Sequence, residues 1–249
     1  MGAVIAVISG KGGAGKTCLV GGVASCLAAM GRRVLCLDAD AGLRNLDLVL
    51  GLGDRVMMDF SDVVEGRCSL EDAWIPHPDI PGLFLLSAPQ RGNLPEHVLA
   101  GLVPLVKEAQ CQFDEILLDC PAGLGPGVRA AVQCAQRAIV VTGIDPASLR
   151  DAQQTVSLLG ELNVAERHLV INRVRARIVR KMKTNLDDVM DTVSLPLLGV
   201  VPEDEQVTLA VSSEKPLVLT ADGRGRAATA YLHIAQRLTG MRVPLMRIR

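Results

Sequence analysis

The run SGKGGAGKTC, residues 9–18, constrains this chain more than any other stretch. It follows an apolar hexapeptide, AVIAVI at 3–8, and opens a segment of helical character over 15–30. A strand, a glycine-rich turn and a helix in that order aim successive backbone N–H groups at one point, the positive end of the helix, where they cradle an anion. Two spacings coexist in the turn. Gly10, Gly12 and Gly15 satisfy G-x-G-x-x-G, and Asp38, ending the second apolar run, completes the pattern of a dinucleotide-binding unit. Gly10, Gly15, Lys16 and Thr17 also satisfy G-x-x-x-x-G-K-[ST]. The Lys-Thr pair has a use only in a triphosphate site: the ammonium sits against the β- and γ-phosphates, and the hydroxyl ligates Mg2+. The triphosphate reading is preferred on that ground. Lys11, inside the loop and too early to be that lysine, is left to explain.

Short apolar runs alternate with helical segments along the rest of the chain. The strand candidates are 3–8, 33–38, 83–87, 115–119, 138–142, 168–172 and 197–201. They are mostly continuous in hydrophobicity, as strands buried on both faces are. Helix candidates lie near 15–30, 58–65, 95–110, 127–136, 147–161, 184–190 and 224–239. This alternation predicts a three-layer α/β fold, one mostly parallel sheet with helices on both faces. With 249 residues, 49% of them hydrophobic and 21% charged, the chain can bury a sizeable core. No repeat or low-complexity linker divides it, so residues 1–240 are read as one domain and 241–249 as a short tail. A net charge of −1 supplies no global field for nucleic acid or anionic lipid. No run approaches the ~20 apolar residues of a membrane span. The first ten residues read as a strand rather than a signal peptide.

Ligands of such sheets bind beyond the carboxyl ends of the strands. Asp38, Asp40 and Asp119 stand at or just after strand ends, where a carboxylate serves a site better than a core, although aspartates there also cap helices. Asp119 is placed to hold Mg2+ through water, with Asp38 beside the same water shell and Thr17 supplying the hydroxyl. The segment PAGLGPG at 121–127 has the glycines of a loop that moves when a γ-phosphate leaves.

The loop KGGAGKT resembles the deviant Walker A loop of the MinD/ParA family of ATPases. LDADAGLRNLDLVLG (37–51), DFSDVVEG (59–66), LDCPAGLG (118–125), IDPASLRDA (144–152), VINR (170–173) and LLGVVPED (197–204) fall in the matching order. The resemblance covers nearly the whole chain and is strongest to the family's septum-site-determining members. It implies a P-loop NTPase of the deviant Walker A subgroup, with ATP and Mg2+ as cofactors. Such a protein is a monomer with ADP and a homodimer with ATP, and turns over slowly without a partner. Lys11 would reach across to the partner subunit's nucleotide, Lys16 would hold its own subunit's triphosphate, and Asp40 would position the attacking water. The electrostatics agree, because two triphosphates at one interface repel and a cation from each opposite subunit offsets that charge.

By the same resemblance the nucleotide lies on Gly10, Lys11, Gly12, Gly13, Ala14, Gly15, Lys16, Thr17 and Cys18. Asn172 would hydrogen-bond the adenine edge, with Arg173 next to it, and Pro202, Glu203 and Asp204 would shape the base pocket. A division inhibitor and an ATPase-stimulating protein are the implied partners, with Asp151 on the helix used for such contacts. The implied location is the cytoplasm, with reversible attachment to the inner face of the cell membrane. Cys18 stands where a second threonine is usual, which removes a hydroxyl near the α-phosphate and keeps the N–H. Rival readings are a MinD-like regulator of flagellar number, a ParA-type partition ATPase that binds DNA and, from another class, an NAD-dependent oxidoreductase built on the same glycines.

Other signals are weaker. The seven cysteines form no C-x-x-C pair and several lie in apolar runs, which suits buried, reduced thiols and disfavours an iron–sulfur carrier. Four scattered histidines suggest no relay. The basic run RVRARIVRKMK at 173–183 is either a solvated face or a contact for DNA phosphates or anionic lipid. The tail MRVPLMRIR at 241–249 alternates apolar and basic residues, but Pro244 leaves barely one helical turn after it. A single copy would bind lipid weakly, and pairing two copies would raise avidity.

Overall fold

The computed structural model of the protein describes residues 1–182, 185–220 and 225–246. Its centre is one eight-stranded sheet. The strands are β1 (Ala3–Ile8), β2 (Val34–Asp38), β3 (Ile75–Pro76), β4 (Leu83–Leu86), β5 (Glu115–Asp119), β6 (Arg137–Thr142), β7 (Glu166–Val174) and β8 (Leu197–Pro202), in the order β3-β4-β2-β5-β1-β6-β7-β8. Every pairing is parallel except that of β3 with β4. The central strands are apolar on both faces because helices cover both. On one face lie α1 (Lys16–Ala29), α2 (Leu46–Val49), α10 (Glu205–Ser212) and α11 (Arg226–Leu238), over a core that includes Leu19, Val20, Leu46, Leu50, Tyr231 and Ile234. The other face carries α3 (Phe60–Val64), α4 (Leu70–Ala73), α5 (Glu96–Ala109), α6 (Pro126–Gln133), α7 (Pro146–Glu161) and α9 (Leu186–Val193), with Phe60, Leu102, Val128 and Val189 among its buried residues. The three-layer α/β expectation holds.

The differences are local. The two-residue β3 carries no legible strand signal. The short helices α2, α4, α8 (Ala176–Met182) and α10 fall in segments where no helix is expected. The basic run is divided between the end of β7 and α8, and its last residue, Lys183, lies outside the described residues. The tail has no helical turn from 241 to 246. Arg237 of α11 donates to the Val243 carbonyl at 2.6 and 2.9 Å, and Met246 packs against the core. Arg247, Ile248 and Arg249 lie outside the described residues. Among the described residues no helix is long and apolar enough to cross a membrane.

At the amino ends of the strands, opposite the site described below, Trp74, Phe84 and Phe113 meet edge to face with centroids 5.0–6.2 Å apart. The Arg33 guanidinium lies 4.9–5.9 Å from the three ring centroids. Such contacts add to the burial of the rings themselves.

His77, after β3, joins that edge of the sheet to the end of α2. Its Nδ1 accepts the N–H groups of Asp79 (3.1 Å) and Ile80 (3.2 Å). The ring is therefore the Nε2–H tautomer, donating to the Leu50 carbonyl at 3.0 Å. A second proton would sit between two N–H donors. Burial lowers the His77 pKa from its ordinary value, Asp79 opposes that shift and Arg55 adds to it. A lowered folded-state pKa means that the unfolded chain takes up protons first. The stability this ring supplies is thus complete above the unfolded pKa of ~6.5 and lost as pH falls through the folded value. His77→Gln should cost about 1–3 kcal/mol at pH 7.5, the range for a buried group left without its partner. It should also show a smaller loss of stability between pH 7.5 and 5.5 than the parent chain. Urea unfolding at the two pH values measures this, and equal losses would refute it.

Candidate nucleotide-binding site

Strand β1 lies between β5 and β6, where the chain's connections part to either side of the sheet, so the loop at 9–15 emerges at the switch point. Gly13 and Gly15 adopt φ values of 78° and 84°. Gly15 is the N-cap of the 14-residue α1, and no side chain caps that helix. Its first-turn N–H groups are thus directed at whatever the loop holds.

Two residues of β7 fasten the second half of the loop. The β7–β8 ladder slips between Ile171 and Val174, and Arg173 there takes φ 57°, a left-handed conformation uncommon for a residue with a side chain. The Asn172 Nδ2 donates to the Ala14 carbonyl at 2.8 Å, and the Arg173 guanidinium donates to the Gly13 carbonyl at 2.9 Å. A Cβ on Gly15 would collide with that same Nδ2, which is why this position has no side chain. The Asn172 Oδ1 accepts the Arg173 N–H at 2.9 Å and keeps one lone pair. The residue expected at the adenine edge therefore fastens the loop first.

On the other side of the loop, the ladder register places Asp38 directly opposite Asp119. Both are buried. Asp38 accepts the N–H of Asp40 at 2.9 Å and that of Leu46 at 3.2 Å, one with each oxygen, and so holds both ends of the turn between them. The Thr17 hydroxyl beside Asp119 favours its ionised form, yet Asp119 Oδ1 is buried with no partner. Burial pushes both carboxyls well above the usual carboxylate range, and at Asp119 the Asp38 charge adds to the rise. Lys16, itself buried, favours the ionised forms of Asp119 and of Asp40, whose half-buried carboxyl is raised by burial. Among the described residues no group of three or more His, Cys, Asp or Glu stands in metal-binding geometry. The oxygens present, an orphaned carboxylate, a second carboxylate and the Thr17 hydroxyl, fit a hard cation that completes its shell with water and phosphate, which is how Mg2+ binds.

A cleft of ≈ 340 Å3 opens beside the first half of the loop, lined among others by Lys11, Asp145, Asp151, Asn172, Arg175 and Glu203. The Arg175 guanidinium pairs with Glu203 through both carboxylate oxygens. Two arginines of the basic run, 173 and 175, are thus committed within the fold. Pro202 ends β8 next to Glu203. Asp204 is engaged elsewhere, capping α10 through the Gln206 N–H and accepting the Ala227 N–H. The Cys18 thiol is raised by burial and stays protonated.

The two lysines have separate surroundings. Lys16 is 7% exposed, whereas the Lys11 side chain is 45% exposed, its Nζ 3.6 Å from Asp145 Oδ1. Asp145 also caps α7, accepting the N–H and the hydroxyl of Ser148, and these bonds lower its pKa, the Ser148 hydroxyl most of all. Sequence reasoning passed over Asp145, although Asp-Pro is a legible helix start. It also passed over Ser9, whose signal is weaker.

Comparison with known proteins points to a nucleotide-binding family. Residues 5–217 match the family described as the CobQ/CobB/MinD/ParA nucleotide binding domain. The septum site-determining protein MinD of Bacillus subtilis is 38% identical over 248 residues, covering 98% of this chain and 92% of that protein. A solved MinC:MinD cell division protein complex from Aquifex aeolicus superposes with a TM-score of 0.91 at 32% identity, covering 99% of both chains. The septum site-determining MinD of Pyrococcus horikoshii, solved with Mg-ADP, gives a TM-score of 0.84 at 30% identity and covers 96% of each.

Without a cation the Asp38–Asp119 pair costs stability. Asp119→Asn should stabilise the metal-free chain by about 1–2 kcal/mol at pH 8, raising its thermal midpoint by a few degrees, by removing a strained buried charge. It should also abolish Mg2+-dependent nucleotide hydrolysis. Calorimetry in excess chelator tests the first effect, and an unchanged or lower midpoint would contradict it.

Proposed function

The chain belongs to the CobQ/CobB/MinD/ParA nucleotide-binding family, and from that premise we propose that it is a MinD-type ATPase that places the cell-division septum by dimerising with ATP. It hydrolyses ATP to ADP and phosphate with Mg2+, and the nucleotide is a switch more than a fuel. The observation that carries the reading is the buried Asp38–Asp119 pair with its orphaned oxygen, set beside an uncapped helix N-terminus and a buried lysine. An anion on one side and a cation on the other satisfy both halves at once.

In this reading the N–H groups from Gly10 to Cys18 hold the phosphates, Lys16 lies against the outer two, and Thr17, Asp38 and Asp119 surround the metal. Bound Mg2+ would neutralise charge on the phosphate oxygens. Asp40, tied by its own N–H to Asp38, orients the attacking water. Lys11 leaves Asp145 and reaches the partner subunit's triphosphate. Asn172 offers its remaining lone pair to the adenine edge, with Arg173, Pro202 and Glu203 around it. A division inhibitor reads the dimer and a stimulating protein dissolves it. Residues 1–240 act as one domain, and the 241–249 tail gives reversible attachment to the inner face of the membrane, strengthened when two copies pair. The NAD-dependent alternative needs Asp38 for a ribose diol, but Asp38 is fully buried and both its oxygens already accept N–H groups.

The dimer is the testable core. An Asp40→Ala chain should sediment as a dimer with ATP and as a monomer with ADP, and adding Lys11→Ala should weaken the ATP dimer at least tenfold. Dimers that are indifferent to nucleotide or to Lys11 would refute the reading.

A further inference from the structure

Lys11 can serve a second subunit only if its backbone is held still, and the contacts that hold it differ from those that hold the phosphate cradle. The second half of the loop is fastened from β7, by Asn172 on Ala14 and by Arg173 on Gly13. Neither contact touches Lys11. The first half is fastened by Ser9, which is 1% exposed at the end of β1. Its hydroxyl donates to the Lys11 carbonyl at 2.7 Å. Its own carbonyl accepts the N–H of Gly123, at 3.3 Å, from the glycine-rich segment after Asp119. Between the two, Gly10 lies so close to α7 that a Cβ would be 2.6 Å from the Asp151 Cβ. Ser9 thus touches, through one residue, both the turn that presents Lys11 and the segment expected to move when the γ-phosphate leaves.

We propose that Ser9 is a positioning residue for the dimer: its hydroxyl sets the main chain of Lys11 so that the ammonium reaches the second subunit's triphosphate, while the later part of the phosphate cradle is held from β7 without it. The proposal rests on the ATP-dimer reading above. It separates two properties that ordinary damage to the loop would lose together. Removing the hydroxyl frees the Lys11 turn and leaves the tethers on Gly13 and Ala14 in place. ATP affinity should then persist while dimerisation falls by the factor that one hydrogen bond carries, about tenfold.

The experiment uses the full-length chain carrying Asp40→Ala, so that ATP is not consumed. ATP affinity is measured by titration with Mg2+ at protein concentrations below the dimer dissociation constant, so that pairing does not contribute to it, and dimer affinity by sedimentation equilibrium with ATP. Ser9→Ala should bind ATP within about threefold of its parent and dimerise about tenfold more weakly. Ser9→Thr, which keeps the hydroxyl, should dimerise like the parent. Full dimerisation of Ser9→Ala overturns the proposal. So does a parallel loss of ATP affinity, which would make Ser9 an ordinary part of the cradle, and so does a Ser9→Thr chain as weak as Ser9→Ala. A parent chain that stays monomeric with ATP would instead bring down the dimer reading itself, and the role of Ser9 with it.

Discussion

Two carboxylates buried face to face at the ends of neighbouring strands are the constraint to which the rest of the site answers. A sheet of apolar strands gains its stability by excluding water, and Asp38 and Asp119 end two of those strands inside that dry interior. Each negative charge has to be met by something. Two backbone N–H groups meet Asp38. Asp119 has the Thr17 hydroxyl and the field of Lys16, and is left one partner short. The fold therefore carries a standing shortage of positive charge, and its chemistry suits a metal nucleotide. The residues around that shortage come from β1's loop, from β2 and from β5.

The turn after β2 follows from the same constraint. Asp38 uses its oxygens on Asp40 and Leu46, so any change in the charge it feels reaches both ends of the segment that holds Asp40. The loop after β1 is divided likewise. One half is secured to β7, and the other, which carries the half-exposed Lys11, is secured through Ser9. In the single subunit the nearby carboxylate of Asp145 occupies that ammonium. A half-exposed pair of this kind is worth little, so it orients the lysine without holding it against a stronger anion.

Much of this was legible in the sequence, for identifiable reasons. Parallel strands covered on both faces must be apolar throughout, which is why β1, β5 and β6 stand out as unbroken runs. The Lys-Thr pair after the glycines separates triphosphate from dinucleotide chemistry before any coordinates are known. Asp38, Asp40 and Asp119 were visible as carboxylates at strand ends. What each oxygen does was not visible, because that depends on register. Nothing local foretells that Asn172 will bond to a carbonyl 158 residues earlier, or that Arg173 will take a glycine-like conformation. Those features come from a slip in the β7–β8 ladder, which only pairing creates. The antiparallel β3 escaped notice because two residues cannot show a period.

The aromatic cluster at the amino ends of the strands has a practical corollary. The chain's one tryptophan, Trp74, packs there with Phe84 and Phe113 beneath the Arg33 guanidinium, at the end of the sheet farthest from the phosphate loop. Its intrinsic fluorescence therefore reports the packing of this cluster, and with it the melting of the core. An indole introduced near the loop would be read against the emission of this single distant ring.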